Sequence, residues 1–546
     1  MKLDKLWIKD FKNLKDVEVD FDEEQLVTVV IGWNGAGKSN LIEALVIIFR
    51  DLDLGNSPKF AYRLEYICRG NRIVVNAAPD KPKKDQYEIN CSPVSASGDL
   101  LREVEWTEIS FNQFHKDENR SYLPANVFGY YSGPSDRLAV HFYDHQRKFR
   151  DQLLYPHKYG LDEATLPLRP LFYAQKVHSN FVLLAFFLGS DKKVKKFLKE
   201  KLFIHDLESV LFVLNKPDWG PDKVNGDERV WGASGAVKPF LDRLYSSSLA
   251  PMKRKIKVPH PMKRNADNVE ALFLFLKDIE ALREVGENLE AKDFFKLLES
   301  IHFSNLIHEV RIRVKVEKSD GTLTFRELSE GEQQLLMVLG LLRFTREDES
   351  LFLLDEPDTH LNPAWSMEYI KYLQDVAGLD PYLNQHENSH IVLATHDPLV
   401  MAGLKKDQIQ IMKRNELDMK VSAELPLYDP KGLGYSGILT SDMFGLRSDL
   451  DQETLEYLDE HAQLLSLDQM STAQEKRYKD LTEKLRDSGF LQSYSDPYFA
   501  AFVKGWAKRN KINQFKKPFL SDRDRKALDD LTDEIFEEIE SEEGNK

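Results

Sequence analysis

The sequence has little cysteine and no long hydrophobic run, and each shortage excludes a class of protein. The two cysteines, Cys68 and Cys91, are too few for a disulfide framework and belong to no metal-ligand cluster. The longest apolar runs, 181–188 and 335–342, are far shorter than the ~20 residues that a membrane-spanning helix needs. The N-terminal segment MKLDKLWIKD is charged throughout and contains no apolar signal-peptide core. These absences favour a cytoplasmic protein with no membrane association.

Basic residues are outnumbered by acidic ones, 75 against 90, so the net charge is −15 over 546 residues. This balance argues against a surface that binds nucleic acid everywhere, although it permits a local basic groove. The composition, 42% hydrophobic and 30% charged residues, is typical of a soluble globular protein. The length leaves room for two to four domains, one of which can be a large α/β core.

The stretch VTVVIGWNGAGKSN at 27–40 is the most informative part of the chain. Its apolar, β-branched run at 27–31 predicts a buried strand, and a helix is predicted over 39–49 after a glycine-rich turn. The turn fits the phosphate-binding pattern G-x-x-x-x-G-K-[ST] in the strand–loop–helix setting that the pattern requires. The predicted nucleotide-binding residues are Gly32, Asn34, Gly35, Gly37, Lys38, Ser39 and Asn40.

The residue types in this turn suit a polyphosphate bound with Mg²⁺. Glycines let phosphate approach the backbone closely, and the amides at the helix N-terminus favour an anion. Lys38 adds a positive charge for the β- and γ-phosphates, and the Ser39 hydroxyl can ligate Mg²⁺. The alternative is a tight strand–helix turn that only happens to contain these residues.

Two later segments predict further strands that end in polar residues. LFLLDEPDTHLNP begins with an apolar strand at 351–354, after which come Asp355 and Glu356. IVLATHDP begins with another at 391–394 and leads to His396. Carboxyl ends of parallel strands are where open α/β sheets bind ligands. Asp355 therefore suits Mg²⁺, Glu356 suits the base that orients water, and His396 suits the γ-phosphate.

The segment LSEGEQ at 328–333 opens a predicted helix that runs to about residue 344. Ser329 is a candidate N-cap, and Glu332 completes a capping box three residues later. Alone, this pattern indicates only a well-capped helix. Each of the acidic and histidine residues above also has an ordinary structural explanation, so the hypothesis depends on the segments occurring together.

The remaining segments contain no specific motif, and their patterns indicate secondary structure more clearly than function. Short strands over 60–110 indicate an antiparallel lobe, and 127–131 is a further core strand. The loop after it is either a γ-phosphate sensor or an ordinary connection. Residues 165–300 are mostly helical in pattern, without a sustained heptad repeat. The basic segment 251–264 is either a loop that contacts phosphate or a solvated loop.

Together, these motifs resemble those of the ABC-class ATPases, in particular the soluble RecF/SMC-like branch. The specific resemblance covers about 1–50 and 305–400. It implies an α/β fold: an ABC-type ATPase head, with a parallel-strand core and an antiparallel lobe, carrying a helical insertion and a helical C-terminal region. It also implies that ATP and Mg²⁺ bound at Lys38 and Ser39 of one subunit meet Ser329 and Gly331 of another, with Glu332 beside them. The protein is then a homodimer or a higher oligomer. Gln113 and Gln146 are the candidates for the family's Q-loop glutamine.

More narrowly, the length, the short insertion and the stretch GYSGILTSDMFGLRSDLD at 434–451 resemble the Septu-type ATPases of bacterial anti-phage defence. This resemblance implies an HNH-type nuclease partner. It further implies an association with a retron reverse transcriptase and its DNA and RNA. No Asp-x-Asp ends an apolar strand after His396, and no HNH-like histidine cluster is present, so we expect no nuclease domain in the chain itself.

The expected organisation has four parts. The two halves of the ATPase domain are 1–185 and 301–428, a mainly helical insertion occupies 186–300, and a helical region with an acidic tail occupies 429–546. The basic, aromatic segment 499–526 suits nucleic acid or a partner, or else is a solvated helix face. Two rival functions stay open: a RecF-like repair ATPase that binds DNA directly, and a scaffold that binds ATP without hydrolysing it.

Overall fold

The structure, a computed structural model, divides into two compact units, Met1–Leu425 and Pro426–Lys546. It describes residues 1–94, 106–117, 119–161, 166, 169–220, 226–258, 267–316, 322–344, 349–377, 389–415, 419–465, 467, 469–488, 523, 526–527 and 529–535. Most of the basic, aromatic segment 499–526 lies outside the described residues.

The strands of the first unit are β1 (Lys2–Phe11), β2 (Leu14–Asp20), β3 (Val27–Gly32), β4 (Tyr62–Cys68), β5 (Asn71–Ala77), β6 (Tyr87–Pro93), β7 (Thr107–Ile109), β8 (Asn126–Tyr131), β9 (Leu171–Tyr173), β10 (Ile204–Asn215), β11 (Leu249–Val258), β12 (Asp267–Leu276), β13 (Ile307–Val316), β14 (Thr322–Thr324), β15 (Ser350–Asp355), β16 (Ser389–Ala394), β17 (Ile409–Arg414) and β18 (Val421–Glu424).

These strands form three sheets. One is antiparallel, in the order β2-β1-β4-β5-β6-β7. The second has the order β18-β17-β3-β16-β15-β8-β9 and is parallel except for the pair β17–β18. The third is antiparallel, in the order β11-β12-β10-β13-β14.

The helices of the first unit are α1 (Lys38–Leu54), α2 (Phe111–His115), α3 (Tyr143–Leu154), α4 (Val177–Leu188), α5 (Lys192–Lys201), α6 (Lys238–Ser246), α7 (Ile279–Val285), α8 (Ala291–Phe303), α9 (Glu330–Phe344), α10 (Pro363–Ala377) and α11 (Pro398–Met401). The second unit contains α12 (Gly434–Thr440), α13 (Gln452–Leu465) and α14 (Thr472–Asp487). In the described part of the chain, none of these helices combines the length and the apolarity that crossing a bilayer requires.

The main hydrophobic core surrounds α1, which follows β3 directly. Leu45 and Phe49 of α1 are almost fully buried and belong to the same cluster as Leu64 of the antiparallel sheet and Leu353 of the parallel sheet. Strands of the parallel sheet such as β15 are buried along their whole length, as expected for strands that are covered on both faces. The predicted α/β core with an antiparallel lobe is confirmed.

The structure differs from the sequence-based expectation in the segment 186–300. That segment, predicted to be mainly helical, contains the long strands β10, β11 and β12 in addition to its helices. An apolar run such as that of β10 is compatible with a buried helix and with a buried strand. In the structure it is a strand because it pairs with β13, which lies about 100 residues later in the chain. The basic segment that begins at 251 is likewise not a loop where it is described, since 251–258 lies in β11.

Candidate functional site

The predicted motifs meet at the carboxyl edge of the parallel sheet. Asp355, at the end of β15, lies opposite Ala394 of β16, and Ala394 in turn lies opposite Val30 of β3. The turn after β3 and the polar residues after β15 and β16 therefore start at the same level of the sheet. Residues that are more than 300 positions apart in sequence are brought together in this way.

The glycine-rich turn has the backbone that phosphate binding needs. Gly32, Gly35 and Gly37 have positive φ angles of 145°, 85° and 102°. Gly37 is the left-handed N-cap of α1, a conformation that residues with a Cβ rarely adopt. Asn34 is exposed in the turn, while Asn40 lies in the first turn of α1.

Lys38 is held back towards the turn that precedes it. Its Nζ donates a 2.7 Å hydrogen bond to the Gly32 carbonyl, and the side chain is largely buried. Burial lowers the pKa of Lys38, while the neighbouring charges of Glu356 and Asp355 act in the opposite direction. The ammonium group is thus fixed between the turn and two carboxylates, next to the amides at the start of α1.

Ser39 and Asp355 form the polar pair that suits Mg²⁺. The Ser39 hydroxyl donates a 3.1 Å hydrogen bond to Oδ1 of Asp355. Burial raises the pKa of Asp355 to about 6, against the lowering effect of the Ser39 hydrogen bond. One hydroxyl and one carboxylate are a fitting protein contribution for Mg²⁺, which completes its shell with phosphate oxygens and water. A buried carboxylate with a raised pKa also gains from a bound cation.

Glu356 and His396 lie side by side just beyond this pair. Oε1 of Glu356 is 3.1 Å from Nδ1 of His396, and both side chains are accessible to solvent. Glu356 has a φ of 53°, in the left-handed region, and its amide donates a 2.8 Å hydrogen bond to the Ala394 carbonyl. A non-glycine residue in this conformation carries strain that is common at functional sites.

A second buried carboxylate fixes the loop that follows Glu356. The Thr395 hydroxyl donates a 2.6 Å hydrogen bond to Asp358, and the Asp397 amide donates to the Thr395 hydroxyl. Burial raises the pKa of Asp358 to about 6, and the Thr395 hydrogen bond opposes that rise. The loops after β15 and β16 are therefore linked to each other by more than the Glu356–His396 pair.

The segment at 328–333 forms the expected cap of α9. The Glu332 amide donates to the Ser329 hydroxyl at 3.2 Å, and the Ser329 amide donates to the Glu332 carboxylate at 2.6 Å. Gly331 lies against the loop after β15, because a Cβ at this position would be 2.3 Å from the His360 carbonyl oxygen. Ser329 is exposed. Within the described part of one chain, the hydrogen bonds of Ser329 and Glu332 stay inside this cap and the first turn of α9.

A network of polar residues beside the turn was not predicted from the sequence. Asn13, in the β1–β2 turn, donates to the Gly35 carbonyl at 2.8 Å and accepts from Asn40 at 2.6 Å. Arg137 donates to Asn40 at 2.6 Å and to Glu43 at 2.8 Å. Although burial alone would raise the pKa of Glu43, hydrogen bonds from His141, Lys12 and Arg137 lower it to about 2. No local sequence signal reports these contacts, since each depends on the tertiary fold.

The loop after β8, which carries Arg137, also contacts the loop after β15. The Ser132 amide donates to the Asp355 carbonyl at 3.3 Å, and the Ser132 and Thr359 hydroxyls are 3.1 Å apart. The loop therefore lies beside the predicted metal ligand. Of the two Q-loop candidates, Gln113 caps α2 through Ser110, and Gln146 lies in α3. Neither is in this loop.

Known protein families match both halves of this site. Residues 1–116 match the family described as "AAA ATPase domain", and residues 228–402 match "AAA domain, putative AbiEii toxin, Type IV TA system". The chain is 26% identical over 260 residues to the Septu protein PtuA of Bacillus mycoides (strain KBAB4), a match that covers 43% of this chain and 35% of that protein. The chain is therefore related in sequence to PtuA and to proteins with AAA ATPase domains.

The chain also resembles the "Retron Vc95 probable ATPase" of Vibrio cholerae serotype O1 biovar El Tor, with 25% identity over 188 residues, covering 32% of this chain and 33% of that protein. The matched region thus spans about a third of each of these relatives.

Two solved Smc head structures are similar to this chain, with low TM-scores. One is the Smc head bound to the C-winged helix domain of ScpA, with 13% identity and a TM-score of 0.31, covering 78% of this chain and 98% of that chain. The other is a Smc head with an extended coiled coil, bound to the C-terminal domain of ScpA, derived from Pyrococcus furiosus. It has 13% identity and a TM-score of 0.30, and covers 78% of this chain and 96% of that chain.

Proposed function

We propose that this protein binds and hydrolyses ATP and acts as a nucleotide-dependent switch. One observation carries this proposal: Ser39, Asp355 and Glu356 converge on the start of α1 at the carboxyl edge of the parallel sheet. A buried hydroxyl–carboxylate pair, an adjacent strained glutamate and a phosphate-binding turn are the parts that phosphoryl transfer to water requires.

Each side chain then has a defined task. Lys38 and the amides at the start of α1 hold the phosphates, while Ser39 and Asp355 hold Mg²⁺, which supplies positive charge to the phosphate oxygens when bound. Glu356 orients the attacking water and takes its proton at a carboxylate oxygen. His396 keeps that carboxylate in position through the 3.1 Å contact and stabilises charge at the γ-phosphate.

We further propose that two copies of the chain enclose the nucleotide head to tail. Ser329 is exposed at the N-terminus of α9, and the dipole of a helix favours an anion at its N-terminus. The turn at 32–39 already surrounds the phosphates of its own subunit. Ser329, Gly331 and Glu332 are therefore assigned to the nucleotide of a second copy, which makes the dimer, or a higher oligomer, the ATP-bound state.

We place this switch in a bacterial anti-phage defence complex, where it controls a separate nuclease. The support is the similarity to a Septu protein and to a retron ATPase. The proposed partners are an HNH-type nuclease and a retron reverse transcriptase with its DNA and RNA. The chain contributes the ATPase domain, 1–185 and 301–428, with 186–300 as an insertion and 429–546 as a C-terminal region without a nuclease site.

Direct binding of DNA, as in RecF-like repair ATPases, is a second candidate because of β11. This strand is the edge of its sheet, and it exposes Lys253, Arg254, Lys255 and Lys257. Such a basic edge can contact a phosphate backbone. Binding of DNA by the isolated chain that weakens steeply with salt would favour this function. Co-purification with a nuclease, without DNA binding by the chain alone, would favour the defence switch.

Steady-state ATP hydrolysis tests the proposed activity. We expect the native chain to release phosphate in the presence of Mg²⁺, and Glu356→Gln to lose at least about a hundredfold in rate, as expected when general-base catalysis is removed. Glu424→Gln, an exposed glutamate at the end of β18, is the matched control and should keep the native rate. Equal, background-level release by all three proteins would instead indicate a scaffold that binds ATP without hydrolysing it.

A further inference from the structure

A cavity of about 310 Å³ lies at the opposite end of the parallel sheet from the proposed ATP site. It is bordered by Asn126, the first residue of β8, whereas the ATP site lies beyond Tyr131, the last residue of that strand. Five residue steps along β8 separate Asn126 from Tyr131, which corresponds to ~17 Å. The cavity is therefore a separate site, and its volume falls in the range of natural small-molecule pockets.

A buried arginine lines this cavity. The Arg169 side chain is only 4% exposed and forms an ion pair with Glu299. The guanidinium carbon is 4.4 Å from the ring centre of Phe172 and 4.1 Å from that of Phe303. Its Nε and Nη2 atoms have no hydrogen-bond partner among the described residues. A buried guanidinium with unsatisfied donors is unfavourable unless a further acceptor reaches it.

Other cationic side chains surround the same space. The basic lining residues besides Arg169 are Arg69, Arg120, Lys292 and Lys296. Arg120 is paired with Asp53 at 2.5 Å, and Glu299 is the carboxylate that lines the cavity. Positive charge thus predominates in the lining, within a chain whose net charge is −15. Such a concentration is suited to a ligand with a phosphate group.

The remainder of the lining is largely aromatic. The phenylalanines in it are Phe128, Phe149, Phe172, Phe295 and Phe344. Flat rings next to arginine and lysine are the combination that proteins use to stack a base while pairing its phosphate. The rings pack against one another, as in the pairs Phe128–Phe172 and Phe295–Phe344, and a planar base would extend this cluster where an inorganic anion would not.

We propose that this cavity binds a nucleotide, with its phosphate at Arg169 and the α8 lysines and its base against the phenylalanine rings. The nucleotide is either free or the phosphorylated end of a single-stranded nucleic acid, since both present the same chemical groups. The site is distinct from the ATP site, and the proposal does not depend on ATP hydrolysis.

Calorimetric titration of the full chain with AMP in EDTA tests this proposal. A monophosphate without Mg²⁺ lacks the β- and γ-phosphates that the turn at 32–39 would grip. We expect saturable binding that Lys292→Gln with Lys296→Gln weakens at least about tenfold, because two charge-assisted contacts are lost. Lys296 is exposed and Lys292 is partly exposed, so the double variant should fold normally.

Two control variants show whether AMP binds at this cavity and not elsewhere on the chain. Lys195→Gln with Lys199→Gln removes the same charge from an exposed face of α5 and should leave AMP binding unchanged. Lys38→Ala should also leave it unchanged, even if it abolishes ATP binding. A 5′-phosphorylated hexanucleotide of single-stranded DNA that binds when AMP does not would assign the site to a nucleic-acid end.

Three results would overturn the proposal. The first is that neither AMP nor the hexanucleotide binds with a Kd below about 1 mM, the level of a ~4 kcal/mol interaction. The second is that the α8 double variant binds as tightly as the native chain. The third is that inorganic phosphate competes as well as AMP, since the aromatic wall would then contribute nothing.

Discussion

Ser39 Oγ donates a 3.1 Å hydrogen bond to Oδ1 of Asp355, although the two residues lie 316 positions apart in the chain. This bond joins the first turn of α1 to the end of β15. It is the structural link between the two halves of the sequence pattern, and it brings together a hydroxyl and a carboxylate that would suit Mg²⁺.

Replacing Lys38 by alanine should weaken ATP binding by at least about tenfold, which corresponds to ~1.4 kcal/mol. The reason is the loss of the positive charge that the fold holds beside the phosphate-binding turn. Titration with a fluorescent ATP analogue in Mg²⁺ measures the change. Lys9→Ala, at an exposed position of β1, is the control. Native affinity in Lys38→Ala would place the nucleotide elsewhere.

Asp355→Asn should stabilise the nucleotide-free protein at pH 8 while removing its response to Mg²⁺. The pKa of Asp355 is raised to about 6 by burial, so the ionised form is less favourable in the folded chain than in the unfolded one. This penalty is fully present above about pH 6, shrinks as the pH falls, and disappears below about 3.8, where the carboxyl is protonated in both states. The gain at pH 8 should be about 1–3 kcal/mol.

Thermal unfolding in EDTA at pH 8 and at pH 4.5 checks this prediction. The midpoint of Asp355→Asn should exceed that of the native chain at pH 8, and the difference should shrink at pH 4.5. Asp10→Asn, at an exposed position, should show no such pattern. A variant that is less stable than the native chain at pH 8 would mean that Asp355 is stabilised, not strained, by its surroundings.

Gly331→Ala should disrupt the contact between the α9 cap and the loop after β15. A Cβ at this position would lie 2.3 Å from the backbone oxygen of His360, so one of the two segments must move. We expect a loss of about 1–3 kcal/mol in stability and a reduced ATPase rate. Gly403→Ala is the matched control, since no heavy atom lies within 4 Å of its added Cβ. Equal melting midpoints for the two variants would show that the cap is free to shift.

Local sequence patterns are sufficient to predict the strands and turns that build the site. The apolar runs at 27–31, 351–354 and 391–394 lie within strands β3, β15 and β16 of the structure, because buried parallel strands have a characteristic composition. The same logic was wrong for β10, where an apolar run was assigned to a helical segment. That strand is defined by antiparallel pairing with residues about 100 positions away, which no local pattern encodes.

The polar residues that support the site could not be predicted for a similar reason. Arg137 reaches Asn40 across 97 positions, and Asn13 reaches Gly35 across 22. An arginine or an asparagine in a polar segment does not reveal its tertiary contacts, because those contacts depend on which loops the strand order of the sheet brings together. The roles assigned to Lys38, Glu356 and His396 are predictions, and the variants of Lys38 and Glu356 test two of them.

The most direct test of the nucleotide-enclosing dimer is the mass of Glu356→Gln in solution, measured by light scattering with ATP and Mg²⁺. Without the glutamate, hydrolysis should fail while the phosphate contacts remain, so the variant should accumulate as a dimer or larger assembly. Lys38→Ala with Glu356→Gln should keep the mass seen without nucleotide. If Glu356→Gln is no more associated with ATP than the native protein is, the proposal that two copies enclose the nucleotide is contradicted.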